Sequence, residues 1–194
     1  MLNRSQIHGF LFLSAFALCT ALPASHAWAD GKVRKLTEAN VKKFIEQTTD
    51  ITLGNSDNLS SEKISEYLDK HIEDKARFKS VMRYHMPNMP VQQAVLNLKK
   101  DEFMGSVAEG ANSVEGYENL VQIKEIKVAS SGKKAFVKTE STEYATMSVP
   151  TDTGGSEDVP MEGVSECTQV ISLNGGVIQM YSANCVTEIH FLEY

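Results

Sequence analysis

YLDKHIEDKARFKSVMRY, residues 67–84, changes its hydrophobic period half-way along. Up to Ile72 the apolar residues Ile64, Tyr67, Leu68 and Ile72 recur at helical spacing, behind a cap at Ser60 or Ser61. After Asp74 the period becomes two. Phe78, Ser80, Met82, Tyr84 and Met86 alternate with Arg77, Lys79, Val81, Arg83 and His85, which predicts a strand with one mostly polar face.

The flanks extend the pattern. Thr37 caps a first helix carrying Val41, Phe44, Ile45 and Thr48, and Gly54–Asn58 is a loop. Pro87-Asn88-Met89-Pro90 turns the chain into a second strand, Val91–Leu98, expected to pair with the first. Lys100–Val114 returns to helical spacing with Phe103, Met104 and Val107. Leu120–Val128 is a strand whose apolar phase slips at Lys124-Glu125, the signature of a bulge. Ser130-Ser131-Gly132 turns into a strand over Ala135–Val149. Pro150–Gly163, with Gly154-Gly155, Pro160 and several acids, reads as a solvated loop. Gly163–Leu173 and Val177–Phe191 are strands about Asn174-Gly175-Gly176, the clearest hairpin signal in the chain. The expectation is an α+β domain, with helices on one face of a bent, mostly antiparallel sheet.

Residues 1–29 read as a secretory signal peptide of bacterial style. Arg4 precedes the short apolar run Gly9–Leu18, and Ala27-Trp28-Ala29 offers small residues at alternate positions for cleavage. The run is too short to span a bilayer comfortably and meets Pro23 at once. The expected product is one domain over residues 30–194, periplasmic or secreted, with no integral membrane segment. At 194 residues and 42% hydrophobic, the chain is ordinary for a globular protein, and its net charge of −6 argues against a nucleic-acid partner.

Export makes the cysteines informative. Cys19 leaves with the signal, and Cys167 and Cys185 remain as an even pair in an oxidising compartment. Partners across an antiparallel hairpin have a constant sum, so turn length decides whether the two thiols share a face. A two-residue turn on Asn174-Gly175 separates them; an odd-length loop or a bulge brings them to one face. The expectation is a structural Cys167–Cys185 disulfide with one of those two devices.

Few residues suggest chemistry. Met82, His85, Met86 and Met89 cluster in MRYHMPNMP and are of a type that meets Cu(I), but alternation sets His85 on the opposite face from Met82 and Met86. His190 has no neighbour of interest in sequence. Phosphate loop, nucleophile elbow and zinc spacing are all missing, so no metal or cofactor is expected.

The element order, with YLDKHIEDKARFKSVMRY and KKDEFMGSVAEGANSVEGYENLVQIKEIKV (residues 99–128), resembles the nuclear-transport-factor-2-like (NTF2-like) superfamily over about Leu36 to Leu192. A cystatin-like sheet-and-helix fold is the rival. The resemblance implies a cone, its curved sheet wrapped around helices and enclosing an apolar pocket. Members are enzymes, ligand carriers or interaction modules. In the isomerase-like and dehydratase-like ones an Asp or His base and a Tyr donor face the pocket. Here Asp69, His71, Glu73 and Asp74 stand at the corresponding helix end, but their alternation with Lys70 and Lys75 fits a solvated end. No catalytic residue carries over.

Two function classes follow. The first is an exported, non-catalytic module binding a small apolar ligand or an envelope protein, lined by Phe44, Tyr67, Tyr84, Met104, Tyr144 and Tyr181. Pairing of two copies through the sheet belongs with it. The alternative is a small periplasmic isomerase, dehydratase or hydrolase using the same pocket. A polar pair enclosed in a cavity would favour the enzyme, and a filled cone the binding module.

Overall fold

The computed structural model describes residues 32–52, 60–110, 118–150 and 156–192. The signal segment and the Gly54–Asn58 loop lie outside them. Three helices and six strands follow in the expected order: α1 (Glu38–Thr52), α2 (Ser61–His71), β1 (Ile72–His85), β2 (Gln92–Lys99), α3 (Lys100–Gly110), β3 (Glu118–Val128), β4 (Lys134–Pro150), β5 (Ser156–Asn174) and β6 (Val177–Phe191).

Local chemistry sets the helix starts. Thr37 and Asn40 exchange caps, Asn40 N–H donating to Thr37 Oγ1 (3.2 Å) and Thr37 N–H to Asn40 Oδ1 (2.8 Å). Ser60, not Ser61, caps α2 through Lys63 N–H. No residue separates α2 from β1: His71 ends one and Ile72 begins the other.

The strands form one mixed sheet in the order β2-β1-β6-β5-β4-β3. Among the described residues only the β1–β6 pairing is parallel; the others are antiparallel. The helices cover one face, where Val41, Phe44, Ile45, Leu68, Ile72, Phe78 and Phe103 meet Ala135, Val137, Ile171 and Met180. The predicted slip in β3 is a register shift between Ile123 and Glu125. Before the first helix, Val33 N–H donates to Gly176 O and Leu36 N–H to Gly132 O, both at 2.8 Å, pinning the chain across two hairpin turns.

One reading needs correction, and one pair of alternatives is decided. Residues 156–163 are not loop: β5 begins at Ser156 and pairs with β4 from Pro150 inward. Pro160 fits because its carbonyl points away from β4 to receive Leu192 N–H at 2.9 Å. Its missing N–H would lie on that same side, so no β4 ladder bond is lost. The alternatives concern the hairpin turn. It has two residues, Gly175 (φ 59°) and Gly176 (φ 87°), between paired Asn174 and Val177, the mirror-image turn that suits strand twist. The register then shifts: Ile171 opposes Met180 while Val170 opposes Ser182, leaving Tyr181 as the extra residue of a bulge. Of the two anticipated devices, the bulge is the one used. It sets Cys167 directly opposite Cys185, with Cα atoms 4.1 Å apart and sulfurs at bonding distance, 2.10 Å.

Candidate functional site

Among the described residues, a small cavity lies between the helices and the sheet. Ile45, Thr48, Thr49, Thr52, Leu68, His71 and Gln169 are among the residues lining a cavity of about 10 Å³ there. That is room for roughly one water. His71, at the end of α2, stacks on Tyr67 (ring centroids 4.4 Å) and lies 5.8 Å from the Phe44 ring. Its Nδ1 is 2.8 Å from Ile178 O, so Nδ1 carries a proton and donates it to that carbonyl. Tyr67 shares a 2.8 Å hydrogen bond with Thr48 Oγ1, and burial drives its phenol far above the usual range. Gln169 is 1% exposed, and neither of its amide atoms has a partner. Among the described residues no carboxylate lines the cavity.

The six residues expected to line a pocket are not gathered. Phe44 and Tyr67 meet around His71, and Met104 packs on the edge of the same core. Tyr84 belongs to a second, smaller cluster with Met82, Met161 and Ile189, and burial lifts its phenol to about 12. Tyr144 and Tyr181 are 46% and 39% exposed on the outer sheet face. Tyr144 donates to Glu162 Oε1 at 3.0 Å, and Lys134 Nζ lies 5.1 Å from the Tyr181 ring.

MRYHMPNMP is divided by the pleat: Met82 is fully buried, His85 faces outward and Met89 is 52% exposed. The reading of His190 as isolated is corrected. Parallel pairing of β1 with β6 stacks it on His85, centroids 4.3 Å apart. His85 Nε2 also meets Glu188 Oε2 (2.7 Å), while Arg83 donates to Glu188 Oε1 (2.6 Å). These contacts hold the Glu188 carboxyl below its usual range. Among the described residues no three His, Cys, Asp or Glu side chains are placed to hold a metal.

A polar lane on the inner face escaped the sequence reading. Ser141 and Glu143 on β4, Ser165 on β5 and Thr187 on β6 are all buried, Glu143 at 5%. Ser165 and Thr187 share a 2.8 Å hydrogen bond, and Ser141 donates to Glu143 Oε1 at 3.3 Å. Glu143 Oε2 reaches over Gly163, 3.9 Å from where a Cβ would stand. The odd-numbered parity of β4 was the available signal, since Ala135, Val137 and Thr139 continue into Ser141 and Glu143 on one face.

No family model and no curated protein matches the chain. Solved structures do. An NTF-2-like protein of unknown function from Silicibacter pomeroyi is 12% identical with a TM-score of 0.41, over 79% of this chain and 99% of that one. A cystatin-like-fold protein from Caulobacter vibrioides is 9% identical (TM-score 0.45, 79% and 87% covered). A hexachlorocyclohexane dehydrochlorinase, LinA type 2, is 8% identical (TM-score 0.47, 80% and 90% covered). Both fold names expected from the element order thus occur among the similar structures.

Proposed function

We propose that the chain is an exported, non-catalytic binding module that meets an envelope protein on its surface. The observation supporting this is the size of the inner cavity, about 10 Å³. Sites for small apolar ligands run to roughly 300–1,000 Å³, so of the two partner classes the protein is favoured. The outer sheet face offers a place. Val81 pairs with Val95 on β2 and Val186 on β6, giving a row of three valines of which Val95 and Val186 are 46% and 38% exposed. Export agrees with the signal-like first 29 residues and with a cysteine pair that an oxidising compartment would join.

Native mass spectrometry of protein drawn from its own envelope tests the reading. A protein-mass complex, lost on Val95→Lys, is expected. A stoichiometric small apolar adduct that survives Val95→Lys would overturn it, and a homodimer would assign the row to self-association.

The enzyme reading keeps one observation, the buried Glu143 carboxyl in its lane of hydroxyls. It requires turnover of an isomerase, dehydratase or hydrolase substrate that Glu143→Gln abolishes in a folded protein.

A further inference from the structure

Several cations of the outer face pair with carboxylates: Arg83 with Glu188, Lys124 with Glu140, Lys127 and Lys138 with Glu125. One corner departs from that pattern. On β1, Arg77 stands opposite Lys99 of β2 and Ser182 of β6; two residues along, Lys79 stands opposite Asn97 and Asn184. These six residues line an open groove of about 440 Å³. Among the described residues no salt bridge joins Arg77, Lys79 or Lys99 to a carboxylate. Three acids near this corner are engaged elsewhere. Asp69 and Asp74 hold Lys100, and Glu102 accepts the Lys99 backbone N–H.

We propose that this groove binds a phosphate ester. Adjacent strands lie about 4.8 Å apart, so three like charges here repel one another unless an anion sits among them. Arg77 lines the groove with one end of its guanidinium held. Its Nη1 donates to Lys75 O (3.2 Å) and Ala76 O (2.7 Å), which anchors the guanidinium and leaves Nε and Nη2 outside that anchorage. Amides at Asn97 and Asn184 and the Ser182 hydroxyl add donors from both flanking strands. A tetrahedral dianion can take hydrogen bonds from three strands at once; a carboxylate, with two oxygens in a plane, leaves part of the array unmatched. The groove is larger than a bare phosphate and leaves room for the group it esterifies. A soluble phosphate ester and an anionic phospholipid headgroup share this chemistry. The site lies away from the inner cavity and adjoins the valine row, one step along the same face from Val81, Val95 and Val186.

Amide-resolved NMR of the purified protein, titrated with glycerol phosphate, reads one source. Sedimentation with vesicles of phosphatidylglycerol in phosphatidylcholine, against phosphatidylcholine alone, reads the other. The expected result is saturable shifts confined to the amides around Arg77, Lys79, Lys99, Ser182 and Asn184, or retention by anionic vesicles only. Lys79→Gln and Lys99→Gln should each weaken binding about tenfold, while Lys79→Arg retains it and Lys42→Gln, on α1, has no effect. Response to glycerol phosphate alone assigns the soluble ester, and to vesicles alone the headgroup. The proposal is overturned if neither probe binds, if the shifts scatter over the surface, or if the double Lys→Gln variant binds like the parent.

Discussion

Reducing the Cys167–Cys185 bond should cost about 3 kcal/mol of stability. The two residues are 18 apart in sequence, and closing a loop of that length removes roughly this much free energy from the unfolded chain. Both positions are already paired partners on neighbouring strands, so the native ladder should survive reduction. The loss then falls on the unfolded ensemble, which gains the freedom the bond withheld. For a domain of this size 3 kcal/mol corresponds to a fall of about 6–12 °C in Tm. Calorimetry with and without reductant reads that shift, and thiol titration of the unfolded, unreduced protein should find no free thiol apart from Cys19, where the signal is retained. A Cys167→Ala/Cys185→Ala variant separates topology from packing. The two residues are 7% and 2% exposed, so the variant loses core contacts as well and should melt below the reduced parent. An unchanged Tm on reduction, or two titratable thiols in the mature chain, would refute the reasoning.

Phe103→Ala removes a buried ring stacked on Phe78 (centroids 4.2 Å) that also lines the inner cavity; it should cost about 3–5 kcal/mol and create a space that binds benzene, readable by Tm with and without the ligand. Gly132→Ala should destabilise by roughly 1–2 kcal/mol in urea unfolding, because φ is +63° and a Cβ would meet Lys35 Cβ at 2.9 Å. The Glu188 carboxyl is held below its usual value of 4.5, chiefly by the His85 hydrogen bond and then by Arg83. Its folded form is therefore the stronger acid, and its contribution is complete above about pH 5 and declines as pH falls through the lowered folded value. Urea midpoints across that range should fall for the parent and be flatter for Glu188→Gln; an identical slope in the two would contradict the assignment.

The period change across residues 67–84, the caps at Thr37 and Ser60, and the phase slip at Lys124-Glu125 depend on contacts a few residues apart. Local stereochemistry therefore made element order, the bulge in β3 and the α+β class legible without coordinates. The strand over residues 156–163 was not legible. Its Pro and acids resemble a loop, and only pairing with β4 supplies the bonds that hold it extended. Parity could narrow the cysteine pair to an odd loop or a bulge, while the choice rested on how the twisted hairpin closed at Gly175-Gly176. Lateral neighbours across the sheet had no trace in one dimension. His85 meets His190, and Arg77 meets Lys99 and Ser182, through strands far apart in the chain. Sequence alone set each strand's two faces, since alternation is a property of the backbone. Which side chains share a face across strands, and hence how the space between helices and sheet is filled and where unpaired charge collects, was decided by register, which only the packed sheet fixes.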